Sequence, residues 1–140
     1  MRRNIRSDAP WESAFGYSRA VRIGSHVSIS GTAAVDAQGE VIAEDDAYRQ
    51  ATVCLEKIAA VLAQAGASLN DVIRTRMYVV NMARDAAAVG RAHNDCFHDI
   101  RPATAMIEVS RFIDPKMLVE VEADAVVEEP PPPLTPARSD

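Results

Sequence analysis

Seven consecutive residues near the carboxyl end alternate between apolar and acidic side chains, and this alternation constrains the fold more than any other feature. The apolar members are Val119, Val121, Ala123 and Ala125, and the acidic members are Glu120, Glu122 and Asp124. Successive side chains of a strand point to opposite faces, so the pattern predicts a strand over residues 118–127 with one apolar and one acidic face. The acidic face is either solvated, or one carboxylate lines a polar cleft at a subunit boundary while Arg74 and Arg76 offset the other two.

A second alternating segment, residues 72–80, predicts another strand with one apolar face. Its apolar side is assigned to Ile73, Met77 and Val79, and its polar side to Arg74, Arg76 and Tyr78. Further short strands are predicted from alternation, from the Gly24-Ser25 turn and from the turn over residues 36–39. The full set of predicted strands covers residues 18–24, 25–31, 40–42, 72–80, 104–110 and 118–127.

Two helices are predicted from apolar residues that recur with the spacing of one helix face. The first covers residues 45–65 and ends before Gly66, a usual helix stop. The second covers residues 84–98, where Gly90 costs about 1 kcal/mol relative to alanine and suggests close packing. The order β-β-β-α-β-α-β-β predicts an α+β domain with two helices on one face of a mixed sheet. The other face needs cover, for which oligomerisation is the natural source.

The chain organisation follows from length and composition. A chain of 140 residues is expected to form one domain, assigned to residues 14–127, with an N-terminal extension over 1–13. Residues 128–140 are rich in proline and are predicted to form a disordered tail. Fifteen basic against twenty acidic residues give a net charge of −5, which argues against nucleic acid and anionic membrane surfaces as partners.

The remaining composition points to a protein without a secretion signal or a metal. The basic start of the chain is not followed by an apolar run, so a cytoplasmic location is expected. Cys54 and Cys96 are predicted to be free, buried thiols, because zinc-type spacing is missing. His26, His93 and His98 are not spaced as metal ligands, so no metal site is expected.

Five short motifs, in this order along the chain, carry a resemblance to a known family. They are Gly16-Tyr17-Ser18, Ser30-Gly31, Arg101-Pro102-Ala103, Glu108-Val109 and Val119-Glu120-Val121-Glu122-Ala123. The chain thereby resembles the Rid/YjgF family of reactive-intermediate deaminases over residues 14–127. The resemblance implies a chorismate-mutase-like fold and a homotrimer with a cleft at each subunit interface. It also implies hydrolysis of enamines and imines, such as 2-aminoacrylate, to a keto acid and ammonia, without metal or organic cofactor.

The resemblance also implies site residues. Glu120 would hold or activate the water, and Tyr17 and Ser30 would line the cleft. The position of the family's carboxylate-binding arginine is occupied by Thr104, and a nearby family cysteine is replaced by Met106. A threonine hydroxyl cannot reproduce the paired, charged hydrogen bonds of a guanidinium, so Arg101 is the candidate substitute.

Several alternatives stay open on sequence. Arg101 is otherwise a surface residue, Tyr17 a core or interface aromatic, and Ser30 a turn hydroxyl. The chain resembles the branch of the family that lacks the arginine. This resemblance implies a small-molecule ligand but no settled substrate. The alternative to a hydrolase is a trimer that binds a small metabolite without turnover. Endoribonuclease activity, attached to some family members by name, is disfavoured by the net charge.

Overall fold

The computed structural model describes residues 1–130 and 133, and it is built on one mixed sheet of six strands. The strand order is β1-β2-β3-β6-β4-β5, with antiparallel neighbours except for the parallel pair β4 and β5. This confirms the predicted α+β class. In chain order the elements are β1 (Arg2–Ile5), α1 (Pro10–Phe15), β2 (Ala20–Ile23), β3 (His26–Ala33), α2 (Ala47–Gln64), a short 3-10 turn (Leu69–Asp71), β4 (Val72–Val79), α3 (Met82–Phe97), β5 (Ala103–Glu108) and β6 (Val119–Val126).

The two long helices begin at side-chain caps. The Asp46 carboxylate accepts a hydrogen bond from the Arg49 N–H at the start of α2, and the Asn81 side chain accepts one from the Arg84 N–H at the start of α3. Both helices bury apolar side chains in a core shared with the sheet. Gly90, inside α3, does not mark close packing as predicted, since a Cβ at this position would have no neighbour within 4 Å.

The alternation in β6 is confirmed, and that in β4 is confirmed in part. In β6 the apolar members face the core, and Glu120, Glu122 and Asp124 lie on the opposite side. In β4, Thr75, Met77 and Val79 are buried, whereas Ile73 is half exposed. The prediction for Ile73 is wrong because the β4–β6 register shifts between Val72 and Arg74 and changes the phase of the alternation.

The sheet face opposite the long helices is polar. The Arg76 guanidinium lies 3.3 Å from a Glu122 carboxylate oxygen and 3.4 Å from an Asp124 oxygen, and the Tyr78 hydroxyl donates a hydrogen bond of 2.8 Å to Glu122. The predicted offset of two of the three carboxylates by arginine is therefore present, through Arg76. Glu120, the third member, is outside this network.

The N-terminal segment holds two elements that the sequence did not predict. β1 pairs with β2, and α1 begins at Pro10 and ends before Gly16, whose φ of 75° suits a glycine. Conversely, the predicted strand over residues 40–42 is only one isolated bridge, between Val35 and Val41.

Three further expectations concern cysteines, the tail and membranes. Both cysteines are free, Cys54 buried and Cys96 partly buried. Of the tail predicted over 128–140, residues 131, 132 and 134–140 lie outside the described residues. In the described part of the chain, every helix is too short or too polar to cross a bilayer.

Candidate functional site

A large cleft opens beside the first residues of β6 and brings together two of the residues predicted from the motifs. It has a volume of about 1170 Å³, and Tyr17 and Glu120 both line it. The walls come from the N-terminal segment, the end of β3, one side of α2 and the loop over residues 111–117. Gly31, Arg19 and Lys57 also line this cleft.

Glu120 is partly buried in the cleft, and its surroundings alter its protonation. Burial raises the pKa of Glu120 above its ordinary value, the positive charge of Arg19 lowers it, and the negative charge of Glu122 raises it. The net shift is upward, toward the range in which a carboxyl group exchanges protons efficiently near neutral pH. Glu120 thus has the environment of a general base or acid.

Gly31 leaves the space that the Glu120 carboxyl group occupies. A Cβ at position 31 would lie 2.6 Å from Oε1 and 3.0 Å from Cδ of Glu120, which is closer than side chains tolerate. Gly31 follows Ser30 within β3, where the β3–β6 register shifts between Ile29 and Thr32. The Ser30-Gly31 motif therefore has a steric role, because its glycine makes room for the carboxylate.

Two cationic side chains tie the same stretch of backbone to the cleft. Arg19 Nη2 donates a hydrogen bond of 3.0 Å to the Gly31 carbonyl, and Lys57 Nζ donates to the Ala33 and Val35 carbonyls at 2.9 and 3.2 Å. Burial lowers the pKa of Lys57, the neighbouring Cys54 raises it, and the charge of Arg19 lowers it. Neither residue was predicted from the sequence. Arg19 could have been found because it lies two residues after Tyr17, and Lys57 because it is a cation within the largely buried helix α2.

Arg19 also links the cleft to α1. Its Nε lies 3.9 Å from the buried carboxylate of Glu12. Within residues 1–130 and 133, Arg19 Nε is the one buried side-chain polar atom without a hydrogen-bond partner. The Arg19 guanidinium carbon lies 5.5 Å from the centroid of the Tyr17 ring, within cation–π range. Arg19 therefore connects the predicted site residue Tyr17 to the newly found N-terminal helix.

Ser30 and the aromatic residues of α1 occupy different places around the cleft. The Ser30 hydroxyl donates a hydrogen bond of 2.6 Å to the Ser18 carbonyl, and Ser30 is not among the residues that line the cleft. Trp11 and Phe15 stack at 5.1 Å between ring centroids and remain exposed at its mouth. An exposed aromatic pair beside a charged interior gives the cleft both an apolar and a polar surface.

Thr104 and Arg101 lie in a separate, smaller pocket that shares no lining residue with the cleft. This pocket has a volume of about 420 Å³ and lies between α3 and β5. His93 lines it and bonds to Thr75, which bonds in turn to Thr104. Met106 packs against the core instead and lines neither space. Within one chain, Tyr17 and Glu120 therefore line one space, Arg101 and Thr104 line the other, and Ser30 and Met106 line neither.

Arg101 has an unusual backbone conformation for its residue type. Its φ is 56°, in the left-handed region that favours glycine, and its N–H donates a hydrogen bond of 2.8 Å to the Phe97 carbonyl just after α3. A side chain in this region costs about 1–2 kcal/mol. A glycine would adopt this backbone conformation at lower cost, yet the residue that lines the pocket here is an arginine.

Comparison with known proteins gives consistent matches over nearly the whole chain. The family model described as Endoribonuclease L-PSP matches residues 7–127. An uncharacterised protein of Streptomyces coelicolor is 40% identical over 124 residues, which are 88% of this chain and 90% of that protein. A protein of Salmonella typhimurium named 2-iminobutanoate/2-iminopropanoate deaminase is 33% identical over 114 residues, 79% of this chain and 86% of the relative.

Solved structures agree with these sequence matches. The crystal structure of Rv2704 from Mycobacterium tuberculosis, described as a member of the YjgF/YER057c/UK114 family, has a TM-score of 0.82 and 45% identity. The match covers 91% of this chain and all of that one. The family model covers nearly all of the described chain and the solved structure shares its fold, so the chain belongs to the Rid/YjgF family.

Proposed function

We propose that the protein hydrolyses an imine or enamine of a small reactive metabolite in the cleft that contains Glu120. The observation that carries this proposal is a half-buried carboxyl group with a raised pKa in a large cleft, where Gly31 makes room for it and Arg19 lies nearby. Relatives that carry deaminase names, such as the Salmonella protein, support the same reaction class. No metal or organic cofactor is needed for this chemistry.

The reaction follows from the protonation of Glu120. The ionised carboxylate accepts a proton from a water molecule while the water oxygen bonds to the carbon of the C=N group. The nitrogen takes up this proton to give an amino group beside the new hydroxyl group. The hydroxyl proton is then passed to the nitrogen, the C–N bond breaks, and ammonia leaves as the C=O bond forms. An enamine first takes a proton on its carbon and loses one from its nitrogen, which gives the imine. The raised pKa favours both directions of proton transfer at Glu120 near neutral pH.

The proposal includes the assembly and the binding residues. We propose a homotrimer, in which Thr104 and Arg101 of one copy complete the cleft that Tyr17 and Glu120 of the next copy line. The separation of these groups within one chain supports an arrangement of this kind, because the two spaces share no lining residue. Light scattering should then give a mass near three times 15.1 kDa.

The direct test is release of ammonia from freshly generated 2-aminoacrylate. Wild-type protein is expected to release ammonia, and Glu120→Gln is expected to lose turnover while it remains a trimer. Asp124→Asn is the matched control, since Asp124 lies on the same face of β6 but outside the cleft. Equal rates for wild-type protein and Glu120→Gln would refute the role of Glu120.

Binding without turnover is the second candidate, favoured by the threonine at position 104. It predicts that a bound metabolite raises the melting temperature while no ammonia or keto product forms. The family model carries an endoribonuclease name, but the net charge of −5 disfavours RNA. Degradation of RNA by nuclease-free wild-type protein, unchanged in Glu120→Ala, would instead favour that third activity.

A further inference from the structure

Lys57 is a partly buried amine in the wall of the cleft, and the proposed hydrolysis does not use it. The chain has two lysines among its fifteen basic residues. The other one, Lys116, is exposed, and its amino group lies 3.0 Å from a Glu44 carboxylate oxygen. In the part of the chain that the structure describes, no carboxylate pairs with Lys57. The two lysines therefore differ both in burial and in partner.

The amino group of Lys57 is held by two neutral acceptors. Nζ donates to the Ala33 carbonyl at 2.9 Å and to the Val35 carbonyl at 3.2 Å, and it has no other hydrogen-bond partner among the described residues. A neutral amine has two hydrogens and one lone pair, so both bonds persist when the ammonium group loses its third proton. The lone pair is then the one position on this nitrogen that the protein does not hold.

The surroundings of Lys57 favour the neutral amine, which is the nucleophilic form. Burial lowers the pKa of Lys57 below its usual value, and the positive charge of Arg19 adds to this lowering. A Cys54 thiolate would raise the pKa of Lys57, but burial raises the pKa of Cys54 itself to about 12, so the thiol is neutral at pH 7. Lysines that are desolvated or lie beside another cation are the ones that form imines with carbonyl compounds.

Arg19 is placed to bind a carboxylate next to this amine. Its Nη2 donates to the Gly31 carbonyl, whereas its Nη1 has no hydrogen-bond partner within residues 1–130 and 133. The Gly31 and Ala33 carbonyls, which accept from Arg19 and Lys57, are two residues apart on β3 and thus about 6.6 Å apart along the strand. A small molecule that carries a carboxylate beside its carbonyl group can therefore reach both cations.

We propose that Lys57 is a covalent binding site for 2-oxo acids, whose carbonyl carbon forms an imine with Nζ while Arg19 binds the carboxylate. The inference rests on the proposed function for the choice of ligand, because a 2-oxo acid is the product that hydrolysis of 2-aminoacrylate would release. It does not need the hydrolysis itself, since the amine reacts in the same way with a 2-oxo acid that is added from outside.

The imine forms without an oxidant or a reductant. The lone pair of Lys57 Nζ bonds to the carbonyl carbon, and the nitrogen passes one proton to the oxygen. The new hydroxyl group takes a second proton and leaves as water, while the nitrogen lone pair forms the C=N bond. Glu120 lines the same cleft and, like Lys57, acts by its charge on Cys54, so it is near enough to supply this proton. The nitrogen then returns a proton to Glu120, so one amine and one ketone give one imine and one water.

The test is reductive trapping of the full-length protein with pyruvate and cyanoborohydride at pH 7, followed by mass spectrometry of its peptides. Cyanoborohydride reduces the imine to a stable amine and leaves the ketone of pyruvate intact. Lys57 is expected to be labelled at least about tenfold more rapidly than Lys116, because a desolvated amine beside a cation is the stronger nucleophile. Labelling of Lys116 and the N-terminal amine alone, or of Lys57 no faster than Lys116, would overturn the proposal.

Two matched variants and one solvent condition complete this test. Lys57→Arg keeps a cation that can donate to the same carbonyls, but a guanidinium does not form this imine, so the rapid labelling should be lost. Lys116→Arg should keep it. In urea, Lys57 and Lys116 of the wild-type protein should react at similar rates, since unfolding removes both the burial and Arg19. A preference for Lys57 that survives unfolding would contradict the proposed role of the fold.

The role of Arg19 is measured by the ratio of two probes, pyruvate and methyl pyruvate, of which the ester has no charge. Relative to the same ratio at Lys116, wild-type protein should label Lys57 faster with pyruvate. Arg19→Gln, which can still donate to the Gly31 carbonyl, should lower the ratio, whereas a loss of stability alone would affect both probes alike. Equal ratios at Lys57 and Lys116 in the wild-type protein would overturn the carboxylate site.

The two proposals fail in different ways, because trapping of pyruvate requires no turnover. Labelling of Lys57 without release of ammonia from 2-aminoacrylate refutes the hydrolase and leaves the covalent site. Release of ammonia without labelling of Lys57 refutes the covalent site and leaves the hydrolase.

Discussion

Replacing Gly31 by alanine tests whether the position of the Glu120 carboxyl group is essential for turnover. The added Cβ would lie 2.6 Å from Glu120 Oε1, whereas ordinary contacts begin at about 3.4 Å, so the oxygen must retreat by about 0.8 Å. The atom that must move belongs to a side chain and not to the backbone. The change therefore displaces the carboxyl group while it leaves the sheet in place.

The expected effects on stability and on turnover differ in size. Gly31 does not have a positive φ, so alanine is compatible with its backbone and gains about 0.5–1 kcal/mol over glycine in a strand. This gain offsets the cost of moving the carboxylate, and we expect the free energy of unfolding to change by less than about 1 kcal/mol. A misplacement near 1 Å reduces turnover by about 100-fold.

Two measurements check this prediction: urea unfolding for stability, and ammonia release from 2-aminoacrylate for kcat. The decisive comparison is Gly31→Ala made in the Glu120→Gln background. If Gly31→Ala acts through the carboxylate, it should cause no further loss in the residual rate of that variant. Full activity of Gly31→Ala alone, or an equal loss in both backgrounds, would show that the reasoning is wrong.

Three further predictions concern stability and thiol reactivity. Glu120→Gln should unfold at higher urea concentration than wild-type protein at pH 7, because the raised pKa of Glu120 means that its ionised form destabilises the folded state. The difference should vanish in acid, where Glu120 is protonated in the folded and the unfolded state. Arg101→Gly should raise the free energy of unfolding by about 1 kcal/mol, since the φ of 56° suits glycine. Arg101→Ala keeps the strained backbone, so it should not show this gain in the same urea titration. Burial raises the pKa of Cys54 to about 12, so mass spectrometry after treatment with a thiol reagent at pH 8 should find Cys54 unmodified until the protein unfolds; modification of the folded protein at Cys54 would contradict the burial.

The sequence predicted the fold wherever a periodic pattern extends over many residues. The alternation in residues 119–125 and the helix face of residues 47–64 each repeat several times, so single exceptions do not obscure them. β1 was missed because it covers only four residues, and α1 because it covers six. Ile73 was misplaced because a register shift between paired strands depends on the partner strand, which a local pattern does not contain.

The candidate site was predictable only in part. The alternation in residues 119–125 predicted that one of three carboxylates lines a cleft, and the family resemblance implied that this carboxylate is Glu120. The link between Thr75 and Thr104 spans 29 residues, and that between Thr75 and His93 spans 18, so no local motif contains both. The role of Gly31 depends on the distance to a side chain of another strand.

The residues that break local rules concentrate at the two spaces proposed to bind ligand. Four residues each lower stability in a different way. Gly31 is a glycine within a strand, and Gly90 is a glycine within a helix. Arg101 has a positive φ, and Glu120 is a half-buried carboxyl group. Gly31 and Glu120 line the cleft, and Gly90 and Arg101 line the pocket between α3 and β5. Ala43 and Asp45 also have positive φ but lie in the loop before α2, so backbone strain alone does not mark a site. Two spaces that each combine two such features are better explained by function than by chance, because local preference and global fold agree elsewhere along most strands and helices. Substitutions that stabilise the protein at these four positions are therefore the ones that should weaken binding or turnover.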